Sequence, residues 1–287
     1  MNTIDAKTIE KLIIESVATG AQDFLINTTD HVPALIPAGF DVVNLDKYQK
    51  RPSRKRGNFC TQSLDDFRNY LQREVEHMRA NNDDIAPAVF IGEEKLTARA
   101  ILDYGLNDRP GHCDHVAKFA LKLNEEFKLI RDANKQWKNQ LEFVNFLDDL
   151  NAYIHHLSDS DGEEIELKKG FQALRKIKFS ATAETEIEES DYAKRQTGLA
   201  AIAVKSGHET NLPARVVFAL HPSPDLDLIN IEARLRIRQN GNDVMICLDI
   251  ILLEKTLQCM MQAFRDKVIQ QLDGLDVDVY VGEYQVS

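Results

Sequence analysis

The sequence predicts an α+β fold, with antiparallel sheets, packed helices and a C-terminal unit of β-hairpin, helix and strand. Three observations predict it. Apolar and polar residues alternate through residues 228–253 on both sides of Asn240-Gly241. Shorter runs of strand-forming residues recur between residues 86 and 123. Apolar residues at helical spacing fill several other stretches, so we expect helices to cover the sheets.

The hairpin is the clearest element, because Asn-Gly favours a type I′ turn in which both central residues take positive φ. Pairing of Gln239 with Asn242 would place Ile237 opposite Val244 and every further apolar residue opposite an apolar partner. A slip by one residue would break this match. The pattern therefore predicts this register.

The first half of the chain is predicted to combine helices with a second sheet. Ser63 has the chemistry of a helix N-cap, and the two aspartates that follow it suit the positive end of a helix. Asn124 is expected to cap a helix whose apolar positions extend to Trp137. The predicted elements are a short helix at 7–20, an apolar segment at 31–40 that wraps a surface or a neighbouring subunit, a helix at 63–78, strands at 86–91, 97–104 and 115–123, and helices at 124–137 and 143–157.

The second half is predicted to place a helix on an antiparallel sheet. Gly274 is positioned to end the last helix. Residues 190–211 surround a short apolar run with polar residues, and we expect a projecting loop or arm that contacts a partner. The predicted elements are a helix at 163–174, strands at 177–187 and 216–220, the hairpin, a helix at 256–272 and a strand at 277–281.

The length of 287 residues suits one large domain or two small ones. Residues 158–162 are polar and rich in turn-forming residues, which makes them the best candidate for a linker. We therefore expect an N-terminal α+β region with an extended arm at 1–157 and a C-terminal α+β region at 163–287.

Charge and hydropathy restrict the class of protein. The formal net charge of -11 argues against a general nucleic-acid coat, since such proteins neutralise phosphates with surplus lysine and arginine. No apolar run reaches the length of a membrane span, and the N-terminus lacks the pattern of a signal peptide. The expectation is a cytoplasmic protein that does not bind membranes and does not coat nucleic acid. The four cysteines have no paired spacing, which indicates free thiols.

One basic cluster stands out on this acidic chain, in residues 47–56. Arg51, Arg54, Lys55 and Arg56 are its candidate ligands for a phosphate or an acidic partner. The alternative is an ordinary solvated loop.

An arginine row is predicted on one face of the hairpin, where Arg234, Arg236 and Arg238 follow each other at every second position. Such a row suits phosphates or the acidic face of another subunit, with Arg234 and Arg236 as subunit contacts. The alternative is a charge-balanced outer face, in which Asp243 pairs with Arg238 and other acidic residues contribute.

Catalytic and metal signals are weak. The densest set of metal-ligand types is His112-Cys113-Asp114-His115, but adjacent loop residues point in different directions, which favours incidental polar residues. The common nucleotide, hydrolase and zinc-protease motifs do not occur. We therefore assign no catalytic residue and no cofactor.

The order of features resembles an uncharacterised family carried by phages and prophages, the YfdQ type. The resemblance is carried by the run Arg51-Pro52-Ser53-Arg54-Lys55-Arg56-Gly57, by Trp137 with Leu141-Glu142-Phe143-Val144-Asn145-Phe146-Leu147-Asp148-Asp149, and by residues 212–218 with the arginine-rich hairpin. It implies a phage or prophage origin and a location in the host cytoplasm. It implies no activity and no functional residues.

The sequence thus favours a non-enzymatic phage accessory protein that acts as a homo-oligomer, in a ring or shell. The features behind this are the extended N-terminal arm, the segment 190–211 and the arginine row. One alternative is an anti-defence binder that sequesters a host protein or a nucleotide messenger. Another is a single-stranded nucleic-acid accessory in phage recombination, against which the net charge counts.

Overall fold

The computed structural model describes residues 55–81, 86–177, 212–241 and 243–284. All elements below belong to the unit that begins at Arg56. The predicted elements at 7–20, 31–40 and 190–211, and nearly all of the strand at 177–187, lie outside the described residues. The described part combines helices with sheets, which confirms the α+β class.

The strands and helices are numbered in chain order. The strands are β1 (Gly57–Thr61), β2 (Ala88–Gly92), β3 (Thr97–Ile101), β4 (Gly105–Leu106), β5 (Arg109–Pro110), β6 (His115–Ala120), β7 (Trp137–Asn139), β8 (Ile154–Ser158), β9 (Glu164–Ile165), β10 (Arg215–Leu220), β11 (Ile229–Asn240), β12 (Asp243–Ile250) and β13 (Asp278–Val281). The helices are α1 (Leu64–Ala80), α2 (Glu125–Asp132), α3 (Gln140–Asp149), α4 (Leu167–Arg175) and α5 (Leu253–Leu272).

The five-stranded sheet has the order β1-β6-β3-β2-β13. Its two outer pairs, β1 with β6 and β2 with β13, are parallel, whereas the inner pairs are antiparallel. The prediction that the last strand belongs to the antiparallel hairpin unit was wrong. Strand β13 lies beside β2 in the other sheet, because α5 carries the chain from one sheet to the other and alternation along a strand does not identify its neighbour.

The six-stranded sheet has the order β7-β12-β11-β10-β8-β9 and is antiparallel throughout. The predicted hairpin is confirmed as β11 and β12, but its predicted register was wrong. Ile237 lies opposite Ile246, and the last pair before the turn is Asn240 with Asp243, a displacement of two residues. Such a shift keeps every side chain on its own face, so the alternation could not detect it.

Helices α1 and α5 pack on the inner face of the five-stranded sheet. Phe119 on β6 lies between Phe67 of α1 and Phe264 of α5, at ring-centre distances of 6.0 Å on each side, and all three rings are buried. The predicted cap of α1 is confirmed, since the Ser63 side chain accepts a hydrogen bond from the Asp66 amide. This helix therefore begins where the sequence predicted.

Two predicted helices are too long. Helix α2 ends at Asp132, and Trp137 starts a short edge strand instead. Helix α3 ends at Asp149, and residues 154–158 form β8, in which Leu157 pairs with Val216 of β10. Apolar residues three or four positions apart continued past the helix end, and only pairing with β10 distinguishes a strand there.

The inner face of the six-stranded sheet is covered by α3 and α4 through Phe143, Leu147, Phe171 and Leu174, all of them buried. Strands from both predicted regions take part in this sheet, and residues 159–162 form a turn between β8 and β9. The division at 158–162 stays a prediction. Among the described helices, none is both long and apolar enough to cross a membrane.

Candidate functional site

One side chain from each strand of the five-stranded sheet lies in a row across its outer face, away from α1 and α5. Strand pairing places Cys60, Lys118, Arg99, Phe90 and Tyr280 opposite one another in that order. Neighbouring strands are about 4.8 Å apart, so the four gaps span about 19 Å. We call the row, together with Tyr284, the aromatic-cationic face.

The aromatic half of this face is a cluster around Phe90. Its ring stacks on Tyr280 at 5.4 Å and on Tyr284 at 4.9 Å, measured between ring centres. Tyr104 meets the rings of Phe90 and Tyr284 edge-on, at 5.6 and 5.4 Å. Tyr280 remains 46% exposed. The cluster is therefore packed on one side and open to solvent at the sheet edge.

The cationic half is formed by Arg99 and Lys118. Arg99 donates from Nη1 to the carbonyl oxygen of Tyr284 at 3.0 Å. Its Nε is buried and has no hydrogen-bond partner within the described part of the chain. Lys118, directly opposite on β6, is exposed. Buried N–H groups are nearly always paired in native proteins, so an unpaired Arg99 Nε indicates a place for an acceptor.

Acidic groups lie at the ends of this face and also beside its aromatic half, where Asp103 and Asp114 are close to Cys113. Asp278 starts β13 at the sheet edge. Glu283 lies close to Gly92 and pairs with Lys95 at 2.7 Å. The centre of the row contains no carboxylate, so its two cations face outward without an acidic neighbour in the row.

The loop before β6 supports the aromatic cluster. The carboxylate of buried Asp103 accepts hydrogen bonds from the amides of Asp114 and His115, at 3.2 and 3.0 Å. A Cβ on Gly111 would lie 1.7 Å from the Asp103 carbonyl oxygen, so only glycine fits this approach. Cys113, at φ 57°, shares a hydrogen bond with the side chain of Tyr284.

Two thiols and one phenol near the sheets have raised pKa values. Burial raises the pKa of the Cys113 thiol, and the Asp103 carboxylate raises it further. The pKa of the Tyr284 phenol is raised, chiefly by the neighbouring Cys113. Burial, with a contribution from Asp249, raises the pKa of Cys247 as well. These groups are therefore neutral at physiological pH, which favours a structural role over a nucleophilic one.

The two edge strands of the five-stranded sheet, β1 and β13, are a second pair of candidate binding surfaces. Strand β1 begins one residue after Arg56, whereas β13 begins with Asp278, two residues after Asp276. Both strands run in the same direction, since β1 is parallel to β6 and β13 is parallel to β2, with antiparallel β3 between them. The N-terminal end of one edge is basic, and that of the other is acidic.

Of the predicted basic ligands, Arg51 and Arg54 lie outside the described residues. Lys55 and Arg56 are exposed, and Arg56 Nε lies 3.8 Å from an Asp114 carboxylate oxygen. Their assignment to a phosphate or an acidic partner stays a prediction.

The arginine row lies on the outer face of the six-stranded sheet. Arg236 pairs with buried Asp249, and Arg238 lies over the ring of Trp137. Arg234 sits between Arg215 and Asp249 in neighbouring strands. Arg236 and Arg238 thus have partners within the chain. The pair of Arg236 with Asp249 fits the charge-balanced alternative, whereas Arg238 contacts the neutral ring of Trp137 and lies opposite Met245 rather than Asp243. The subunit-contact role of Arg234 and Arg236 stays a prediction.

The histidine-containing candidates separate in space. His115 is buried, and its Nε2 is 3.0 Å from the Tyr70 hydroxyl, whereas His112 is exposed. His155 and His156 are in contact through their Nδ1 atoms at 3.0 Å. Within the described ranges, no three histidine, cysteine, aspartate or glutamate side chains are grouped to hold a metal ion.

Sequence reasoning missed the aromatic-cationic face. Strand β1 was not predicted, because it is short and follows a basic segment. The residues that form this face are far apart in the chain, with Arg99 on β3 and Tyr280 on β13. The available signal was Tyr280 on the polar side of a strand whose valines alternate with it, but pairing across the sheet is needed to bring the row together.

Comparison with known proteins gives one match. The family model described as "Uncharacterized conserved protein (DUF2303)" matches residues 6–284. No curated protein and no solved structure matches. Since this match covers nearly the whole sequence, the chain belongs to the DUF2303 family.

Proposed function

We propose that this chain is a non-enzymatic accessory protein of phage or prophage origin that acts as a homo-oligomer, assembled head to tail through the two edges of its five-stranded sheet. The observation that carries the assembly is the opposite charge at the matching ends of β1 and β13. The phage origin is inferred from the resemblance of residues 51–57 and 141–149 to phage-borne proteins.

The direction of the two strands decides how copies would pair. Because β1 and β13 are parallel within one sheet, β13 of one copy would align in parallel with β1 of the next, and the sheet would continue across the junction. Unpaired backbone N–H and C=O groups at an edge strand are a template for such pairing. Within the described residues, β1 and β13 each pair with only one strand.

Charge favours this alignment over the alternatives. In parallel pairing, Arg56 of one copy lies beside Asp276 and Asp278 of the next, with Lys55 adjacent in sequence. Antiparallel pairing of β13 with β13 would place the acidic N-terminal end of each copy at the C-terminal end of the other and would bring no basic residue of β1 to it. Electrostatic complementarity of this kind selects the partner and the register.

Exposed apolar side chains on β13 support an interface there. Tyr280 is 46% exposed and Val281 is 57% exposed on the same four-residue strand. A heterologous contact that joins two different edges produces a closed ring when the rotation between copies closes, and a filament when it does not. The ring is the finite form of this assembly.

The test combines native mass with charge reversal. Light scattering of the full chain at micromolar concentration should give a discrete multiple of 32.6 kDa. A variant with Asp276→Lys and Asp278→Lys should dissociate, as should a second variant with Lys55→Glu and Arg56→Glu. Mixing the two variants should restore an assembled species, because the reversed β13 edge of one variant then meets the reversed β1 edge of the other. The two variants must alternate, so the original mass returns when the assembly has an even number of copies, and an odd-numbered ring gives an assembly of a different mass.

Each outcome is decisive. A monomeric wild-type chain overturns the proposal. Dissociation of the aspartate variant without recovery on mixing overturns the head-to-tail geometry. Two of the reversed residues take part in exposed ion pairs, Asp276 with Arg79 and Arg56 with Asp114. Exposed pairs contribute about 0 to 1 kcal/mol, so the variants should fold.

The sequestering alternative, with a host protein or a nucleotide messenger as its ligand, remains a second proposal. The exposed side chains of Lys55 and Arg56 are the observation in its favour. Arg236 is a weaker candidate for a phosphate than the sequence indicated, because Asp249 already holds its guanidinium.

A further inference from the structure

We propose that the aromatic-cationic face binds single-stranded nucleic acid, with bases stacked on its aromatic half and phosphates held by Arg99 and Lys118. Arg99, Lys118 and Phe90 lie on internal strands of the sheet, whereas Tyr280 lies on the edge strand that the proposed assembly uses, so the mass of each variant is measured together with its binding. The argument rests on the rings, the cations, their spacing and the shape of the surface.

The rings supply a stacking surface. Tyr280 and Tyr284 each stack on Phe90, with interplanar angles of 19° and 25°. Rings stacked in this way partly cover one another's faces, so the exposed side of Tyr280, which is 46% exposed, is the part of the cluster on which a base can stack. Bases stack on such faces in proteins that bind single strands, and the stacking tolerates any sequence.

The cations lie where a backbone would continue from stacked bases. Arg99 is directly opposite Phe90, and Lys118 is one strand further. The Arg99 Nε is a buried donor without a partner within the described part of the chain. A phosphate on the surface would be attracted by the charge of this guanidinium rather than by the Nε itself, which has almost no solvent-exposed area. The other charges near this surface are Asp278 at the edge, Glu283 in its pair with Lys95, and the carboxylates of Asp103 and Asp114 close to Cys113, beside Tyr284.

Spacing and shape favour a strand over other nucleotide ligands. Four-stranded sheets that bind RNA stack two or three bases on their open face, and this row of about 19 Å is of comparable width. Free nucleotides bind in concave pockets that enclose most of the ligand, whereas this surface is an open sheet face. Bases in a duplex are stacked on each other and cannot lie on the rings.

The net charge of -11 repels nucleic acid and therefore lowers the affinity that we expect of this site. It argues against a protein that coats nucleic acid, but a local pair of cations can still hold two phosphates. Two phosphate contacts to a single strand give a slope of about -1.4 in log K against log salt. We therefore expect weak binding with a shallow salt dependence.

The experiment measures fluorescence anisotropy of a labelled oligothymidylate of about 12 nucleotides with the full-length protein. Salt is varied from about 50 to 200 mM. Arg99→Gln and Lys118→Gln should each weaken binding and each reduce the slope by about 0.7. Tyr280→Leu should weaken binding roughly tenfold, and Tyr280→Phe should restore it, because the ring rather than the apolar area is needed.

The matched control is Lys168→Gln, which removes one exposed charge from α4, remote from this face. It should leave both affinity and slope unchanged. The mass of each variant by light scattering should equal that of the wild type, so that loss of binding is separated from loss of assembly.

Three results would overturn the proposal. One is the absence of binding at low salt. Another is an equal effect of Lys168→Gln and Lys118→Gln, which would indicate general charge attraction. The third is equal competition by thymidine monophosphate or by duplex DNA, because either result shows that the face does not select a strand.

Discussion

The guanidinium carbon of Arg238 lies 4.0 Å from the centre of the Trp137 ring, across the intervening strand β12. This contact joins the third residue of the arginine row to the only tryptophan of the chain. An arginine on β11 is thus stabilised by an aromatic ring on β7, a strand that is distant in sequence.

The Arg238 contact should be visible in tryptophan fluorescence. Arg238→Gln removes the cation from the ring face and should shift the emission of Trp137. Because such contacts at exposed sites contribute about 0.5 to 1 kcal/mol, unfolding in urea should show a loss of that size. An unchanged emission spectrum together with unchanged stability would contradict the contact.

The two ion pairs of this sheet should differ in their contribution to stability. Asp249 is 8% exposed and accepts two hydrogen bonds from Arg236, one of them from Nε at 2.8 Å. Asp249→Ala should cost about 2 kcal/mol, since a charged hydrogen bond is lost at a buried position.

The matched comparison for Asp249 is Glu232→Ala, which breaks an exposed pair with Arg215 on the same face. The loss should be below about 1 kcal/mol. Urea unfolding of both variants at neutral pH measures the difference. Equal losses would show that burial of Asp249 has no energetic consequence.

Substitution by alanine should destabilise the protein more at Gly111 than at Gly241. Gly111→Ala places a Cβ 1.7 Å from a backbone oxygen that cannot move aside easily, and we expect a loss of stability. About 3 kcal/mol is typical of a severe overpacking change. Gly241→Ala meets no atom within 4 Å, although φ is +61°. That backbone conformation should cost about 1 kcal/mol, so thermal unfolding should place this variant between Gly111→Ala and the wild type.

The thiols should react with iodoacetamide in a defined order. Cys60 and Cys259 are exposed and should be alkylated first. The raised pKa of Cys113 lowers its thiolate fraction, so its rate should be lower and should rise about tenfold per pH unit below that pKa. Buried Cys247 should react last. Peptide mapping by mass spectrometry follows alkylation at each cysteine. If Cys113 reacted fastest, the prediction that its raised pKa slows alkylation would be wrong.

The sequence predicted those elements whose signals are local. Ser63 and Asp66 are three residues apart, so their capping contact could be read directly from the chain. The alternation through β11 and β12 likewise fixed which side chains face inward, because it has the period of a strand.

The register of the hairpin and the end of α3 could not be predicted in this way. A shift of two residues preserves the alternation, and apolar spacing near Leu157 suits a helix and a strand equally. Both were decided by hydrogen-bonded pairing with another strand, which the local pattern does not contain.

By itself, the sequence determined the α+β class, the cap of α1, the strands β2, β3, β6, β10, β11, β12 and β13, and the arginine row. The tertiary structure alone decided that β13 joins β2, that Asp249 and Trp137 engage the arginine row, and that Lys118, Arg99, Phe90 and Tyr280 lie side by side. The physical reason is that periodicity reports which face of an element is buried, whereas a surface for binding depends on which strands become neighbours.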